Sequence, residues 1–311
     1  MAIAGKTILV TGATGQLAGA VARGLVGDNE IIALARFSAP GSRESLEAAG
    51  VRCVRGDYVT RDFREAPETV DYVFHAAANT KPATMEEGMR DNAEGTAFLM
   101  ERYRDAKGFV HVSATGCYAA HPDPEHVFTE DEPLGGATYF APMYGVSKTA
   151  TEGVVRSLCR IYGLPTVIAR MNVAYGGPYF DGGLPGRQLD ALLADEPIRL
   201  QRGQRWFQAP IHEDDITRHV PILLEKATVP ATIINWGGDE GVEVETWVRY
   251  LGELVGKEPR FEYDDRPRSA SWIGDHRKRI ALGCECRVHW REGMKRMIAA
   301  RHPEMKIREI A

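Results

Sequence analysis

Short runs of apolar and β-branched residues recur through most of the chain, and intervals long enough for a helix separate them. The runs are KTILV (6–10), EIIALA (30–35), VRCVRG (51–56), DYVFHA (71–76), GFVHVS (108–113), TVIARM (166–171) and ATIINW (231–236). Strands that alternate with helix-length intervals indicate βαβ units, in which crossover helices connect parallel strands. The pattern therefore predicts an α/β protein with a Rossmann-type doubly wound parallel sheet.

A long interruption separates the last two runs. Residues 173–204 contain the stretch YGGPYFDGGLPG, whose Gly and Pro content is typical of loops. A length of 311 residues allows one large α/β domain with an accessory lobe, but not three domains. We predict a cofactor domain of residues 1–172 and 205–240. Residues 173–204 and 241–311 are expected to form a smaller C-terminal substrate lobe over the strand ends.

Charge and cysteine usage restrict the classes of partner. The chain has 38 Lys and Arg against 43 Asp and Glu, a net charge of -5, so it lacks the basic field that binds nucleic acid or anionic lipid. A small-molecule substrate is expected. No apolar run reaches membrane-spanning length, and the first residues do not resemble a signal peptide, so we expect a cytoplasmic protein. The five scattered cysteines predict free thiols, and Cys284-x-Cys286 lacks the second pair that a zinc site would need.

The segment TGATGQLAG (11–19) directly follows the first predicted strand and begins a helix. Gly12 allows a tight turn, Gly15 lets the backbone approach a pyrophosphate, and Ala18 is the small residue where helix and strand pack closely. The helix N-terminus then faces the anion. The alternative is an ordinary glycine-rich turn. The candidate cofactor-binding residues in this segment are Gly12, Thr14, Gly15, Gln16 and Leu17.

The end of the second predicted strand bears on the choice between NAD and NADP. It reads Leu34-Ala35-Arg36-Phe37-Ser38 and offers no carboxylate for the adenosine ribose hydroxyls. Arg36, together with Ser38 and Arg43, could instead hold a 2'-phosphate by charge-assisted hydrogen bonds. The segment thus favours NADP over NAD as the cofactor. The alternative is that Arg36 is a solvated charge at a strand end.

Tyr144 and Lys148 are the main candidates for catalysis. Their four-residue spacing places a phenol and an ammonium on one face of a helix. A free phenol has a pKa of about 10, and an ammonium about 4 Å away contributes about 4 kcal/mol at an effective dielectric constant of about 20. We therefore expect Lys148, helped by an oxidised nicotinamide, to lower the pKa of Tyr144 toward neutrality. Tyr144 would then exchange a proton with a substrate oxygen while hydride moves to or from the cofactor.

Taken together, these motifs resemble the extended short-chain dehydrogenase/reductase family, which includes nucleotide-sugar epimerases and dehydratases. Further similar segments are Gly56-Asp57-Tyr58, His75-Ala76-Ala77-Ala78, DNAEGTAFLM (91–100), EDEP (130–133), MYGVSKTATE (143–152), PIHEDDI (210–216), LG (282–283) and EGM (292–294). The resemblance implies that Asp57 and Tyr58 lie at the adenine and that Ala76, Ala77 and Ala78 line the cofactor ribose.

The same resemblance implies that Lys148 binds the nicotinamide ribose, and that a homodimer forms through helices near 85–105 and 143–162. His75 could equally be a satisfied core histidine. Asp214 and Asp215 could be acids in the first turn of a helix rather than ligands.

Three departures from the family pattern concern the substrate side. The family's serine, four residues before Tyr118, is replaced by Ala114. We expect Thr115, or else Ser113, to supply the missing hydroxyl; the alternative is that no hydroxyl takes part. The substrate-binding candidates are Ser113, Tyr118 and Asn172.

The other two departures affect diphosphate recognition. The family's asparagine after the sixth predicted strand corresponds to Val173, with Asn172 one residue early and so on the opposite face. Gln208 replaces an expected arginine, although Arg205 lies nearby in sequence. Thr115 is followed by Gly116 and Cys117 instead of the Asp-Glu pair of dehydratases, which disfavours a 4,6-dehydratase.

The sequence therefore predicts an NAD(P)-dependent oxidoreductase that transfers hydride at a carbinol or carbonyl carbon. Nucleotide-sugar epimerisation and reduction of a smaller ketone or aldehyde both remain open, because the fold favours the first and the departures favour the second. A third alternative is a non-catalytic NADP-sensing regulator. The Tyr144 and Lys148 pair disfavours that alternative, since a sensor needs no proton donor.

Overall fold

The computed structural model describes residues 3–136, 141–178, 183–266 and 270–310. In chain order the strands of this part are β1 (Thr7–Thr11), β2 (Glu30–Ala35), β3 (Arg52–Arg55), β4 (Tyr72–His75), β5 (Gly108–Ala114), β6 (Val127–Phe128), β7 (Thr166–Met171), β8 (Ala174–Tyr175), β9 (Ile198–Gln201), β10 (Phe207–Gln208), β11 (Ile211–His212), β12 (Thr232–Trp236), β13 (Val242–Glu243), β14 (Phe261–Asp264) and β15 (Ile273–Gly274).

The helices are α1 (Gln16–Leu25), α2 (Ser42–Glu47), α3 (Met85–Gly88), α4 (Gly95–Arg102), α5 (Pro142–Tyr162), α6 (Gly183–Leu193), α7 (Glu213–Glu225), α8 (Val244–Val255), α9 (Arg277–Ala281) and α10 (Trp290–Arg301). A π-helical segment, Met89–Glu94, joins α3 to α4, and a 3₁₀ turn, Thr115–Cys117, follows β5.

Seven strands form one central sheet in the order β12-β7-β5-β4-β1-β2-β3. Every neighbouring pair in it is parallel. Each of the seven predicted runs supplies one of these strands, so the predicted doubly wound parallel sheet is confirmed. The order of the strands reverses between β1 and β4, and ligands of such folds bind at the carboxyl ends of the strands beside that reversal.

Alternating side chains of the strands bury two helical layers. On one face, Ile8 and Val10 of β1 pack in a cluster with α1 and α7. On the other face, Leu9 packs in a cluster with residues of α4 and α5, including Leu99 and Val155. This division follows the two-residue period of a strand, and it explains why the runs are apolar at consecutive positions.

A separate apolar cluster joins α6, α8 and α10, with Leu189, Trp247 and Met294 among its buried members. These helices belong to the segments that the sequence assigned to a substrate lobe. Cys284, from the same C-terminal segment, instead packs with the sheet cluster of α1 and α7. The lobe boundaries stay a prediction.

Two further features concern the chain as a whole. All five cysteines carry free thiols. Within the four described ranges, no helix combines the length and the apolar character that a bilayer crossing requires.

Candidate active site

The glycine turn and the loop after β4 lie directly against each other. Gly12 has φ +79°, and a Cβ on it would lie 2.8 Å from the backbone N of Ala77. Gly15 N donates to Gly12 O at 2.9 Å, which closes the turn, and Ala77 N donates to Thr11 Oγ1 at 3.3 Å. Glycine is therefore required at position 12 both by its backbone angle and by the proximity of Ala77. The contact places Ala76 and Ala77 beside the turn, and Ala78 follows them.

The N-terminus of α1 is available to an anion. Gly15 is its N-cap and provides no side-chain hydrogen bond, so the amides of Gln16 and Leu17 lack a side-chain cap. Ala18 is buried, and a Cβ on Gly19 would lie 2.9 Å from Ala13 O. Close helix-to-turn packing thus involves Gly19 as well as the predicted Ala18. The turn, which has no room for a Cβ between Gly12 and Ala77, and the start of α1 form a cradle that fits the pyrophosphate of a dinucleotide.

Two neighbours of the cradle differ in their surroundings. Thr14 is exposed. The side-chain Nε2 of Gln16 is buried and has no hydrogen-bond partner among the residues that the structure describes, and its Oε1 would lie 3.0 Å from a Cβ on Gly183. Gln16 therefore lies where the start of α6 approaches the glycine turn, in addition to lying at the start of α1.

At the end of β2 the basic residues are not equivalent. Arg36 is exposed, and the described residues provide no hydrogen bond or ion pair for it. Arg43 donates to Glu47 Oε1 at 2.7 Å and stacks over the Phe37 ring at 5.7 Å. Only Arg36 therefore lies at the strand end without a carboxylate partner.

The loop after β3 places Asp57 and Tyr58 next to the same cleft. Asp57 Oδ1 accepts a hydrogen bond from Val59 N at 3.0 Å, which orders the loop. The Tyr58 ring packs edge-on against His75, with ring centroids 5.2 Å apart. A Cβ on Gly95 would lie 2.8 Å from the Tyr58 ring, so α4 can approach only through a glycine. Burial raises the pKa of Tyr58.

His75 has partners for both ring nitrogens. Thr11 Oγ1 lies 2.7 Å from Nδ1, and Thr96 Oγ1 lies 2.8 Å from Nε2. Burial lowers the pKa of His75 to about 3, so the ring is neutral. This geometry corresponds to the alternative of a satisfied core histidine, whose function is to join β1, β4 and α4.

Helix α5 carries Tyr144, Lys148 and Glu152 at four-residue intervals on one face. Lys148 is 1% exposed, donates to Val112 O at 2.6 Å, and lies 3.2 Å from His111 Nε2. The candidate ammonium is thus held against the end of β5. Burial lowers the pKa of Lys148 to about 8.

The electrostatics of Tyr144 differ from the expectation. No hydrogen bond joins its hydroxyl to Lys148 among the described residues, and burial raises the pKa of the phenol. In the protein alone the direction is opposite to the lowering expected with an oxidised nicotinamide, because burial disfavours the phenolate. The protein alone therefore keeps the phenol protonated.

The start of α5 is anchored to the loop after β4. Asn92 Nδ2 donates to Ser147 Oγ at 2.9 Å, and Ser147 Oγ donates to Tyr144 O at 2.9 Å. Asn92 Oδ1 accepts from Asn79 N at 2.7 Å. The backbone that carries Tyr144 is thereby fixed to the segment beyond Ala78. The segment DNAEGTAFLM marked this region, but the contacts of Asn92 were not predicted.

A buried ion pair lies beneath the site, and sequence reasoning missed it. Arg170 of β7 and Glu152 form a two-pronged contact, with Nη2 to Oε2 at 2.7 Å and Nε to Oε1 at 2.9 Å, and each side chain is 2% exposed. Arg170 Nη1 also donates to Glu130 O at 2.9 Å. The available signal was an arginine within an otherwise apolar strand, since a buried charge requires a partner.

The substrate-side candidates have partners within the protein. Ser113 Oγ donates to Glu152 Oε1 at 2.6 Å, and the fully buried Tyr118 donates its hydroxyl to Asn235 Oδ1 at 2.7 Å. Thr115 is 6% exposed, and its hydroxyl accepts from Asn172 Nδ2 at 3.4 Å. Among the described contacts none of these hydroxyls meets Tyr144. Ala114, by contrast, is partly accessible at the end of β5.

Asn172 joins distant backbone segments. Its Nδ2 donates to Trp272 O at 2.8 Å, while its Oδ1 accepts from Val173 N at 2.8 Å and from Ala209 N at 2.9 Å. Gln208, at the expected arginine position, is buried and donates to Ala270 O at 2.9 Å. Both amides are therefore used to hold loops together.

The remaining charged candidates are also paired. Arg205 contacts Glu243 at 3.0 Å and Glu125 at 2.5 Å. In the first turn of α7, Asp214 pairs with Arg296 at 3.1 Å. Asp215 accepts hydrogen bonds from the backbone amides of residues 287 and 288, both at 2.9 Å. Both acids thus have protein partners, as in the helix alternative. Across the described residues, no group of three or more His, Cys, Asp or Glu is arranged to hold a metal ion.

Among curated proteins, dTDP-glucose 4,6-dehydratase 1 of Escherichia coli K12 is 31% identical over 316 residues, which cover 89% of this chain and 85% of the relative. A trifunctional UDP-glucose 4,6-dehydratase/3,5-epimerase/reductase of Arabidopsis thaliana is 24% identical over 94% of this chain. The chain spans less than half, 46%, of the length of that plant protein.

Solved structures show the same fold. UDP-glucose 4-epimerase of Thermotoga maritima, with UDP-glucose, has a TM-score of 0.82 at 24% identity, with 96% of this chain and 99% of the other covered. DesIV, a dTDP-glucose 4,6-dehydratase of Streptomyces venezuelae solved with NAD bound, has a TM-score of 0.80 at 25% identity, with 94% and 95% covered. The model of the NAD dependent epimerase/dehydratase family matches residues 8–237. With its glycine cradle and its Tyr144 and Lys148 pair, the chain belongs to the NAD dependent epimerase/dehydratase family.

Proposed function

We propose that the chain catalyses NAD(P)-dependent hydride transfer at a carbinol or carbonyl carbon of a nucleotide sugar, in the manner of an epimerase. One observation carries the proposal. Tyr144 and Lys148 lie on one face of α5 at the carboxyl end of β5, next to the strand-order reversal where the glycine cradle lies. A proton-exchanging group is thus built beside a dinucleotide cradle.

The residues divide the work as follows. A nicotinamide held beside the cradle would supply the chemistry of hydride acceptance and return. Tyr144 holds its proton in the protein alone, so it is ready to donate to a carbonyl oxygen during reduction. In the oxidative direction the same phenol must lose that proton, and the positive charge of Lys148 stabilises the phenolate that results. Gly12, Gly15 and the amides that begin α1 hold the cofactor pyrophosphate.

The nucleotide-sugar assignment rests on the family and on the substrates that the relatives' names contain, UDP-glucose and dTDP-glucose. A second candidate, reduction of a smaller ketone or aldehyde, is favoured by a specific observation. Asn172 and Gln208 use their amides on protein backbone, so neither is free in this structure to recognise a diphosphate. The Thr115-Gly116-Cys117 segment lacks the acidic pair of dehydratases, and the proposal includes no elimination step.

Thr115 is proposed as the hydroxyl that replaces the one missing at Ala114. Its support is position, because it directly follows Ala114 at the end of β5. Within the described part of the chain, its hydroxyl contacts only the amide of Asn172, at 3.4 Å. A hydrogen bond of that length is weak, so the hydroxyl can turn to a bound substrate at little cost. Ser113 is less suited, because its 2.6 Å bond to Glu152 holds it in a buried network.

For the cofactor, the family description names NAD, and we propose that NADP is accepted and preferred. The support is the absence of a carboxylate in residues 34–38 and the exposed Arg36 at the end of β2. Arg43, in contrast, already pairs with Glu47. Any preference for the 2'-phosphate therefore depends on Arg36 and Ser38.

Cellular location and assembly are further parts of the proposal. We propose a cytoplasmic homodimer, formed through α4 and α5 as the family resemblance implies. Ile161, at the C-terminal end of α5, is 70% exposed in the monomer and offers apolar surface for such contact. Light scattering after size-exclusion chromatography tests this, since a mass near 34.3 kDa at working concentration contradicts it.

The test of the main proposal is a turnover panel. Purified protein is incubated with NAD+ or NADP+ and UDP-glucose, dTDP-glucose or simple alcohols, with absorbance at 340 nm for reduced cofactor and proton NMR for inversion at the sugar carbinol. We expect a C4 epimer, or a transient reduced cofactor, with one of the nucleotide sugars. Turnover of simple alcohols alone favours the second candidate. Tight cofactor binding without turnover of any compound favours a sensor.

A further inference from the structure

His111 is a second buried group on Lys148 that the proposed reaction does not use. It lies on β5, is 0% exposed, and its Nε2 is 3.2 Å from Lys148 Nζ. The other ring nitrogen, Nδ1, is buried and has no hydrogen-bond partner in the described part of the chain. A fully buried imidazole with one nitrogen on the candidate lysine and the other unpaired is costly to retain for packing alone.

Donor and acceptor chemistry fixes the roles in this contact. An ammonium carries three N–H donors and no acceptor, so His111 Nε2 must accept and the ring proton must lie on Nδ1. Burial lowers the pKa of His111 well below its ordinary value, so the ring is neutral and does not repel Lys148. Val112 O accepts a second N–H of the same ammonium at 2.6 Å. Two adjacent residues of β5 therefore use two of the three donors.

We propose that His111 is a positioning residue for the reaction: together with Val112 O it holds Lys148 on the sheet side, aims the remaining N–H away from β5, and stabilises the charged form. The proposal deepens the proposed function and rests on it, because it concerns the ammonium that assists Tyr144. A lysine with only one sheet acceptor would rotate about its last bond and would lose its proton more readily.

The other ionisable groups around Lys148 are few. From α5 it faces Glu152, and from the turn after β5 it faces Cys117, both of which favour the ammonium. From β4 the neutral His75 lies behind His111, with ring centroids 5.4 Å apart. Tyr144 lies one helical turn away on the same face. Burial is the larger effect and lowers the pKa of Lys148 to about 8. The ammonium is thus present below about pH 8 and lost above it.

The first test needs no turnover. Imidazole nitrogen spectra of uniformly ¹⁵N-labelled protein report the tautomer of each histidine and its titration. We expect His111 to carry its proton on Nδ1 at pH 6.5, and its Nε2 signal to move with a midpoint near pH 8 as Lys148 loses its proton. In Lys148→Met the step near pH 8 should vanish. A proton on Nε2 at pH 6.5, or a His111 Nε2 signal that follows the same course in wild type and in Lys148→Met from about pH 6 to about pH 11, overturns the proposal.

The second test measures the pH dependence of kcat with the substrate that the turnover panel identifies. His111→Phe removes the acceptor and keeps a ring, so the basic limb of the profile should move down by about one pH unit. His111→Gln returns an acceptor near the place of Nε2 and should restore most of the shift. A matched control, His219→Phe, removes an equally buried histidine of α7. His219 accepts from Trp236 of β12 and lies with α7 on the face of the sheet opposite α5. It should lower stability without moving the limb.

The outcomes separate the two proposals. A His111 signal that titrates with Lys148, in a protein whose Tyr144→Phe variant turns over normally, keeps the contact but contradicts the proposed reaction. If Tyr144→Phe loses turnover as expected but His111→Phe leaves the basic limb of the pH profile of kcat unchanged, the proposed reaction stands and the positioning role is contradicted. An equal shift in His219→Phe would show that the limb reports general destabilisation, and would also contradict the positioning role.

Discussion

The two sides of the proposed cleft differ in whether their polar groups already have hydrogen-bond partners within the protein. On the proposed cofactor side, at the ends of β1 and β4, the turn presents backbone amides without a side-chain cap, and Gly12 lets the turn pack against the backbone of Ala77. On the substrate side, at the ends of β5 and β7, Ser113 and Asn172 are bonded to protein partners. The glycine turn, which acts through backbone amides, and the Tyr144 and Lys148 pair match the family motifs, whereas the side chains expected to recognise a substrate diphosphate do not. The cofactor is therefore easier to infer than the substrate.

The largest effect is expected from the ion pair beneath the substrate side. Glu152→Gln leaves Arg170 buried without its carboxylate, and breaking a buried pair in this way costs about 3 to 5 kcal/mol of unfolding free energy. Urea denaturation measures it. The matched control is Glu30→Gln, which breaks the exposed 3.0 Å pair with Arg52 and should cost at most about 1 kcal/mol. Similar losses of unfolding free energy in the two variants would mean that the buried pair beneath the substrate side contributes no more to stability than an exposed pair.

Catalysis itself provides the next effect. Tyr144→Phe keeps the ring and removes the proton, so kcat should fall about 100-fold or more while cofactor affinity stays within about twofold. Steady-state kinetics and a fluorescence titration with NADPH measure the two quantities. A Phe variant that turns over at the wild-type rate would remove Tyr144 from the mechanism, and a large loss of cofactor affinity would place the phenol on the cofactor side instead.

The glycine cradle can be tested against a glycine of equal backbone conformation. Gly12→Ala introduces a Cβ that would lie 2.8 Å from Ala77 N, in addition to the positive φ. Gly203→Ala has φ +68° as well, but no atom lies within 4 Å of its Cβ. Both should lose about 1 to 2 kcal/mol of stability from the backbone, but only Gly12→Ala should weaken NAD(P) binding more than about tenfold. Calorimetric titration with NAD(P) measures the affinity of both variants. Equal affinities of Gly12→Ala and Gly203→Ala would contradict the role of the turn as the cofactor cradle.

Arg36 tests whether the cofactor side also contains a selective side chain. Arg36→Ala should weaken NADP(H) by one charge-assisted hydrogen bond or two, about 1.5 to 3 kcal/mol each, and leave NAD(H) nearly unchanged. Arg43→Ala is the companion variant, because Arg43 already pairs with Glu47 and should matter less. An initial preference for NAD, or an equal loss for both cofactors, removes the 2'-phosphate role.

The smallest effect is expected at the weak hydroxyl contact of the substrate side. Thr115→Val keeps the shape and deletes the donor, so it should cost about 1 to 3 kcal/mol of transition-state stabilisation if the hydroxyl takes part. The companion is Ala114→Ser, which restores a hydroxyl at the partly accessible position. Kinetics within twofold of wild type for Thr115→Val, beside a several-fold faster Ala114→Ser enzyme, would mean that no hydroxyl replaced the lost one.

Features that depend on residues close together in sequence could be predicted, whereas features that depend on residues far apart in sequence could not. The seven sheet strands were found because burial on both faces produces local apolar runs. The glycine turn and the Tyr144 and Lys148 spacing are likewise local. Asn172 could not be interpreted from its neighbours, since its partners Ala209 and Trp272 lie 37 and 100 residues away. The burial that raises the pKa of Tyr144 in the protein alone could not be predicted either, because a sequence shows the spacing of charges but not the extent of desolvation. The lowering expected with a bound nicotinamide stays a prediction.

The contact between Thr11 and the loop after β4 also has a consequence for folding. Thr11 meets His75 and Ala77, residues 64 and 66 positions later, so the pyrophosphate cradle is incomplete until β4 has paired with β1. Closing a loop of that length costs chain entropy before the contact is gained, so we expect the cradle to form late in folding. A nicotinamide dinucleotide can then bind and stabilise only molecules in which β1 and β4 have already paired. We expect it to raise the melting temperature by mass action and to slow unfolding, while leaving the rate of refolding unchanged.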